Sequence, residues 1–259
     1  MKYLVDIATK RNTKAFNKPN EDCAFADGDN CIFIIMDGVS RDKINGVYPN
    51  PSPAFEVSKL FIETGYNYIK YALEERCDYL QIVKEAFKVG NNAIYEFNNS
   101  YVGNFLPGTV GIIAIIRDKN LYYGYIGDCL GILVKEQMAV EFTTCQTKYI
   151  HEHIKEFTAE QIRNEICNNV NHPYSYGVLD GREGAMDFII TGELSLDKCS
   201  RILLLTDGVE EIVKQMSVEE LLNTTAKELL NKKVHIKSSD DKTIIIVRMD
   251  TDENSIENN

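Results

Sequence analysis

The sequence predicts an α+β fold in which two antiparallel β-sheets are covered by helices. Three observations lead there. Short apolar runs of strand length recur, several joined by turn-forming residues. Two long stretches of helical periodicity interrupt them, and a last apolar run follows a helix rich in Glu and Leu. The composition, 44% hydrophobic and 26% charged over 259 residues, is that of a globular protein and excludes disorder or a fibrous repeat as a description of the whole. A chain of this length buries a real core as one large domain or two small ones. With no internal repeat and no Gly/Ser/Pro linker, residues 1–250 are expected to form one domain, and the polar, acidic stretch 251–259 to fray.

The elements follow in order. Residues 3–9 are a first strand. Residues 22–26 and 31–36 flank Asp27-Gly28, a hairpin signal because glycine tolerates the positive φ of a tight turn. Ser52-Pro53 reads as an N-cap with proline at the first helical position, and Leu60, Phe61, Thr64, Tyr68 and Tyr71 then fall at helical spacing. A second helix carries Leu80, Val83, Phe87, Ile94 and Phe97 on one face, and both stripes are expected to pack in the core. Residues 110–116 and 121–126 form another hairpin through Asp118-Lys119-Asn120, and 131–134 continue that sheet. Residues 143–182 read as an irregular insertion with a helix near 159–170. Strands return at 185–190, 201–205 and 243–248.

Charge and cysteines narrow the function. With 28 basic and 39 acidic side chains the net charge is −11, so no basic stripe exists to bind a nucleic-acid backbone. No apolar run approaches the roughly 20 residues that span a bilayer, and Asp6 interrupts the only candidate for a signal peptide. The seven cysteines are odd in number and contain no C-x-x-C, which fits reduced thiols and a cytoplasmic location.

Acids cluster where apolar runs end. Asp37-Gly38 ends the run 31–36, and Asp207-Gly208 ends the run 202–206. Asp128 ends 123–127, Asp240-Asp241 opens the run 243–247, and Glu21-Asp22 opens the second strand. A single Asp-Gly is ordinarily a turn, and Asp27-Gly28 and Asp180-Gly181 are read so. A buried strand running straight into Asp-Gly twice is harder to dismiss, because a buried charge is costly unless paired or bound to metal. Hard cations such as Mg²⁺ and Mn²⁺ choose oxygen ligands, and carboxylates from several strands can share a two-metal centre. Glycine after the aspartate lets the backbone come close enough to offer its carbonyl.

In this order the motifs resemble those of the metal-dependent type-2C (PPM) serine/threonine protein phosphatases. Asn20-Glu21-Asp22 resembles the N-terminal acidic motif of that family, and Met36-Asp37-Gly38-Val39-Ser40 its metal-bridging motif. Pro107-Gly108-Thr109 is similar to the entry of its central strand, Ile126-Gly127-Asp128 to its Gly-Asp motif, Thr206-Asp207-Gly208-Val209 to its late Asp-Gly motif, and Asp240-Asp241-Lys242-Thr243 to its terminal motif. The resemblance implies a four-layer αββα sandwich, two antiparallel sheets flanked by helix pairs, with two Mn²⁺ or Mg²⁺ ions at one end. By the same analogy Asp37 bridges the ions and Gly38 offers its carbonyl. Asp207 and Asp240 hold one ion, and Glu21 reaches the other through water. Asp22 orients ligands from behind, and Asp128 belongs to a third, weaker ion. The implied chemistry is in-line attack on a phosphoserine or phosphothreonine by a hydroxide bridging the metals, without a phosphoenzyme. The implied partners are a phosphorylated protein and a cognate Ser/Thr kinase.

Two positions depart from the family. Val39 stands where some members carry a histidine proposed as general acid. Asn17 stands four residues before Glu21, where an arginine usually binds phosphate. Lys18, or Lys14, is the nearby cation that could take that role with Asn17, and Arg11 lies further off. These departures leave a second reading, a catalytically weak or silent member that binds a phosphoprotein or kinase; the intact acids argue for the enzyme. Other chemistries fail on spacing. No cysteine is followed six residues later by arginine, residues 103–109 lack the P-loop lysine, and Cys31 and Ile32 spoil a calcium loop after Asp27. His151 and His153 have the wrong spacing for a helical ligand pair and are expected to be solvated.

Overall fold

The computed structural model describes residues 2–12, 17–39, 47–103, 105–233 and 240–250. Lys14, Ser40 and the tail 251–259 lie outside these residues. Two five-stranded antiparallel sheets stack face to face. One has the order β1 (Lys2–Lys10), β10 (Lys242–Asp250), β9 (Cys199–Leu205), β6 (Leu130–Lys135), β7 (Ala139–Glu141). The other has the order β2 (Cys23–Asp27), β3 (Ile32–Val39), β4 (Gly108–Arg117), β5 (Asn120–Ile126), β8 (Ile190–Ser195).

Strand alternation distributes the apolar runs among three cores. In β3, Phe33 and Ile35 face the opposite sheet with Ile112, Ala114, Ile202, Leu204, Ile245 and Val247. Ile32, Ile34 and Met36 of the same strand face α1 (Pro53–Glu75) and α2 (Tyr79–Asn99), against Val57, Phe61, Val83 and Phe87. On the far side Leu203, Leu205, Ile244 and Ile246 meet α5 (Asp207–Val213), α6 (Val218–Asn223) and α7 (Ala226–Asn231) through Val209, Leu221 and Leu229. The layer order is therefore αββα, with one long helix pair and, on the second face, three short helices among the described residues. Runs such as β3 and β4 are apolar on both faces because both faces are covered.

Local chemistry sets the element ends. The Ser52 hydroxyl caps α1 by accepting from Phe55 N at 3.1 Å, with Pro53 beginning the helix. In the β4–β5 hairpin, Asp118 and Lys119 both take positive φ, 49° and 64°, as a two-residue primed turn requires.

Several details differ from expectation. The β2–β3 turn takes its positive φ at Cys31 (49°), and Asp27 organises it by accepting from Asn30 N at 2.9 Å. The buried face of α1 is Ala54, Val57, Phe61, Gly65, Ile69 and Ala72; of the expected stripe only Phe61 is fully buried, and Tyr71 is 61% exposed. Small residues let the helix sit close to the sheet, while the tyrosines take the rim where their hydroxyls find carboxylates, as Tyr66 does with Asp27 at 2.7 Å. Residues 131–134 leave the β5 sheet altogether. The chain turns at Gly127 (φ 86°), and β6 pairs with β9 in the opposite sheet.

The segment expected as a helix over 159–170 is α4 (Ala159–Gln161) followed by a π-turn, Ile162–Ile166. It stops where Asn168 adopts φ 61°. Residues 183–188 form a 3₁₀ turn, and β8 begins only at Ile190, where β-branched residues appear.

Asp180-Gly181 is a turn, with Gly181 at φ 90°, but it is not an ordinary one. Asp180 is 2% exposed and accepts from Arg182 Nε at 2.9 Å, Arg182 Nη2 at 2.6 Å and Asn168 Nδ2 at 3.1 Å. Removing the guanidinium would strand a buried charge. Arg182→Ala should therefore lower stability by about 3 kcal/mol or more, read as a lower urea midpoint at unchanged m-value.

Candidate metal centre

Strand ends of both sheets open on one cleft, lined by Lys18, Asp37, Gly38, Val39, Asp128, Asp207 and Asp240 together with residues of the segment 147–178. At about 190 Å³ the cleft is below the roughly 300–1,000 Å³ usual for small-molecule pockets. It suits ions and a phosphoryl-sized group better than a nucleotide-sized cofactor.

Each acid is delivered by a specific constraint. Asp37 lies near the end of β3 in register with Val110, and the Thr109 hydroxyl donates to the Asp37 carbonyl at 2.8 Å. Ser58 of α1 donates in turn to Thr109 at 2.9 Å, so helix and sheet jointly fix that strand end. Asp207 opens α5 directly after β9. Behind it the Thr206 hydroxyl donates to Asp22 Oδ2 at 2.9 Å and accepts from Thr243 N at 3.0 Å, tying three chain segments together. Asp22, 4% exposed, thus holds the residue next to Asp207. Asp128 follows β5 and accepts from the Thr147 hydroxyl at 2.8 Å.

Glycine follows Asp37 and Asp207 for a steric reason. A Cβ on Gly38 would stand 2.6 Å from the Glu21 carbonyl oxygen, and one on Gly208 only 1.9 Å from that of Asp241. Both Asp-Gly pairs exist because backbones meet at the cleft floor.

Glu21 is 1% exposed, and its carboxylate meets the Lys18 ammonium at 3.1 Å. Asp240 is partly exposed and lies 3.3 Å from the same ammonium. Lys18 thus lines the cleft as a carboxylate-bound cation and not as a free one, which bears on the phosphate role expected of it. Asn17, exposed at φ 57°, does not line the cleft.

Two further groups stand at or beside the cleft. Asp241, 2% exposed, accepts from Asn12 N at 2.7 Å and Glu21 N at 3.0 Å and so fastens the Glu21 loop to β10. The doublet Asp240-Asp241 was visible in the sequence, but nothing there divides the two roles. His151, on α3 (Lys148–His153), is exposed as expected and also lines the cleft, whereas His153 stacks on Tyr174 with ring centroids 4.4 Å apart. Thr147 and His151 are four residues apart and share a helix face, the one sequence signal for this wall.

Electrostatically the cleft is strained by its own acids. Burial, then Asp22, Asp207 and Asp128, push the Asp37 carboxyl well above the usual range. Burial and the Asp128 and Asp240 charges raise Asp207 to about 8. Burial raises Asp22 to about 7, against the hydrogen bond from Thr243. Burial also raises Asp128, opposed by Thr147 and by His151. Asp207 Oδ1 is buried without a hydrogen-bond partner. An oxygen-only, mutually repelling set with an orphaned buried oxygen fits hard divalent cations. Among the described residues no three His, Cys, Asp or Glu side chains are assembled as a ready ligand set.

No family model matches the sequence, and no curated protein does. Solved structures do match. The serine/threonine phosphatase PstP/Ppp of Mycobacterium tuberculosis is 18% identical with a TM-score of 0.69, over 96% of this chain and 99% of that one. The PPM Ser-Thr phosphatase MsPP of Mycobacterium smegmatis, in complex with cacodylate, is 14% identical with a TM-score of 0.64, over 95% and 98%. The PstP catalytic domain in complex with two manganese ions is 17% identical with a TM-score of 0.64, over 95% and 98%. The chain has the fold of these phosphatases.

The raised carboxyls give a pH dependence. A carboxylic acid at about 8 in the folded chain against an ordinary 3.8 keeps its proton while the unfolded chain loses it. Stability of the ion-free protein should therefore fall as pH rises from about 4 towards 8 and level off beyond. Melting temperatures across that range check this. Asp207→Asn should flatten the slope, and added Mn²⁺ should oppose it by favouring the ionised acids.

Proposed function

We propose that this chain is a metal-dependent phosphoserine/phosphothreonine protein phosphatase of the PPM class, with residues 1–250 as its catalytic domain. The observation that carries the proposal is the meeting of Asp37, Asp128, Asp207 and Asp240, from both sheets, at one cleft. The fold shared with Ser/Thr phosphatases supports it.

Asp37, Asp207 and Asp240 are assigned to hold two divalent ions, Mn²⁺ or Mg²⁺, with the Gly38 carbonyl and Glu21 completing the set and Asp128 serving a third ion. When bound, such ions supply a water acidified for in-line attack on phosphorus, without a phosphoenzyme, and offset charge on the phosphoryl oxygens. The protein's part is positioning. Asp22 and Thr206 keep Asp207 in place, and Ile150, Ile154, Ile162, Tyr176 and Val178 wall off one side from water. A thiol mechanism finds no support, since burial and Asp37 push the Cys129 thiol well up, away from a reactive thiolate. Val39 has no proton to give, and the imidazole that lines the cleft, His151, is assigned to donate to the leaving Ser or Thr oxygen. The substrate is a protein phosphorylated by a Ser/Thr kinase.

Hydrolysis of a phosphothreonine peptide should require Mn²⁺ or Mg²⁺ and vanish in chelator. Asp37→Asn, Asp207→Asn and Asp240→Asn should each lower kcat by about a hundredfold or more, several kcal/mol of lost charge stabilisation. Undiminished turnover in chelator would end the proposal. His151→Gln should cut kcat on the peptide by about a hundredfold and affect p-nitrophenyl phosphate far less, because p-nitrophenolate leaves without needing a proton. Equal losses on both substrates would remove His151 from the donor role.

A further inference from the structure

One face of α2 is turned to solvent along its length: Gln81, Lys84, Lys88, Asn92 and Tyr95 recur every three or four residues, and all five are exposed. At 1.5 Å per residue this stripe is about 21 Å long. It walls a groove of about 1,200 Å³ whose other side is the 3₁₀ turn Glu183–Phe188, with half-buried Val89, Met186 and Ile189 also lining it. That volume exceeds the roughly 300–1,000 Å³ of small-molecule pockets and suits a length of polypeptide. Charge is sorted between the two sides. Lys84 and Lys88 stand on the helix, Glu183 and Asp187 on the turn, all four exposed, and none of them forms an ion pair among the described residues. Arg76 and Glu85, which also line the groove, neutralise each other at 2.8 Å.

We propose that this groove docks an extended segment of alternating acidic and basic residues, carried by the protein substrate. The source of the segment rests on the phosphatase reading; the groove's preference for alternating charge does not. Spacing selects the alternation. In an extended chain successive side chains point to opposite sides, and those on one side recur about every 6.8 Å. Lys84 and Lys88 are separated by about 6 Å along the helix axis, and Glu183 and Asp187 by about 8 Å along the 3₁₀ turn. Acids at positions i and i+2 therefore meet the lysines while bases at i+1 and i+3 meet the carboxylates, and a stripe of about 21 Å accommodates about six such residues. A wholly acidic or wholly basic segment is repelled by one side. Each exposed pair contributes little, so selectivity comes from several pairs in register. The groove also lies within reach of the cleft. Val178 lines the cleft and Glu183 the groove, and the chain between them spans at most about 18 Å.

The first arm of the test titrates a fluorescent hexapeptide, Glu-Lys-Glu-Lys-Glu-Lys, with the full chain at low salt and reads fluorescence anisotropy. It should bind about tenfold more tightly than Glu-Glu-Glu-Lys-Lys-Lys, which has the same composition. Lys84→Glu with Lys88→Glu should lose the preference. Adding Glu183→Lys and Asp187→Lys should restore it, because an alternating segment then fits shifted by one residue. All four side chains are exposed, so the variants should keep the fold. Equal binding of the two peptides to wild type, or no rescue in the fourfold variant, would overturn the inference.

The second arm measures hydrolysis in Mn²⁺. A phosphothreonine peptide is joined to the alternating or the block segment, on either side, through a Gly/Ser linker of about 12 residues with a mean span of about 19 Å. Docking at an effective concentration on the order of millimolar should lower KM about tenfold for the alternating segment in at least one placement, with kcat unchanged. Lys84→Glu with Lys88→Glu should remove that difference. Equal KM for both segments would overturn the assignment to the substrate. No hydrolysis of either peptide would overturn the phosphatase reading and that assignment with it, while the anisotropy result still decides the groove.

Discussion

Mutual repulsion among closely set, buried and half-buried carboxylates is the constraint on which the site depends. Asp22, Asp128 and Asp207 each raise the proton affinity of Asp37, and among the described residues none of these four has a guanidinium partner of the kind that Arg182 gives Asp180. Left to itself such a cluster would spread apart. It stays together because its members sit on ends of strands whose other residues fill three apolar cores. The sandwich supplies the stability and the cleft consumes part of it, the usual relation between a scaffold and a strained functional site.

That constraint also explains features that look unrelated. Gly38 and Gly208 allow backbones into contact beneath the acids. Asp241 accepts two backbone amides, an arrangement that keeps a buried carboxylate satisfied while leaving Asp240 to face the cleft. Thr109, Thr147 and Thr206 recur beside Asp37, Asp128 and Asp22 because a hydroxyl can hold an acid, or its carbonyl, in place without adding charge.

Much of this was legible in the sequence, for identifiable reasons. The strands of the two central layers are continuous apolar runs, and their covering by helices was implied by the same runs. The acids were legible because charge at the end of a buried strand is expensive and therefore conspicuous. Partner choice was not legible. Nothing local to residues 131–134 says that β6 crosses to the other sheet, since the deciding feature is the backbone at Gly127. The wall over residues 147–178 has no strong period because it is assembled from short helices and turns, so nothing in the sequence brings the exposed His151 to the cleft. The stripe on α1 was misplaced because small residues, not the aromatic ones, meet the sheet.

The pairing of β1 with β10 has a consequence for how the protein comes into being. The ladder joins residues near the start of the chain to residues more than two hundred positions later, Lys10 opposite Lys242 at one end, and β10 is the central link between β1 and β9. The Glu21 loop is fastened to Asp241 at the head of that same strand. During synthesis the helix pair and the β2–β5 sheet can form early from neighbouring segments, whereas long-range pairing of this kind is slow and comes last. A nascent chain therefore carries every other acid of the cleft well before it can bring them together. On the proposed function, its full set of ion ligands would come together only once β10 has paired with β1 and β9.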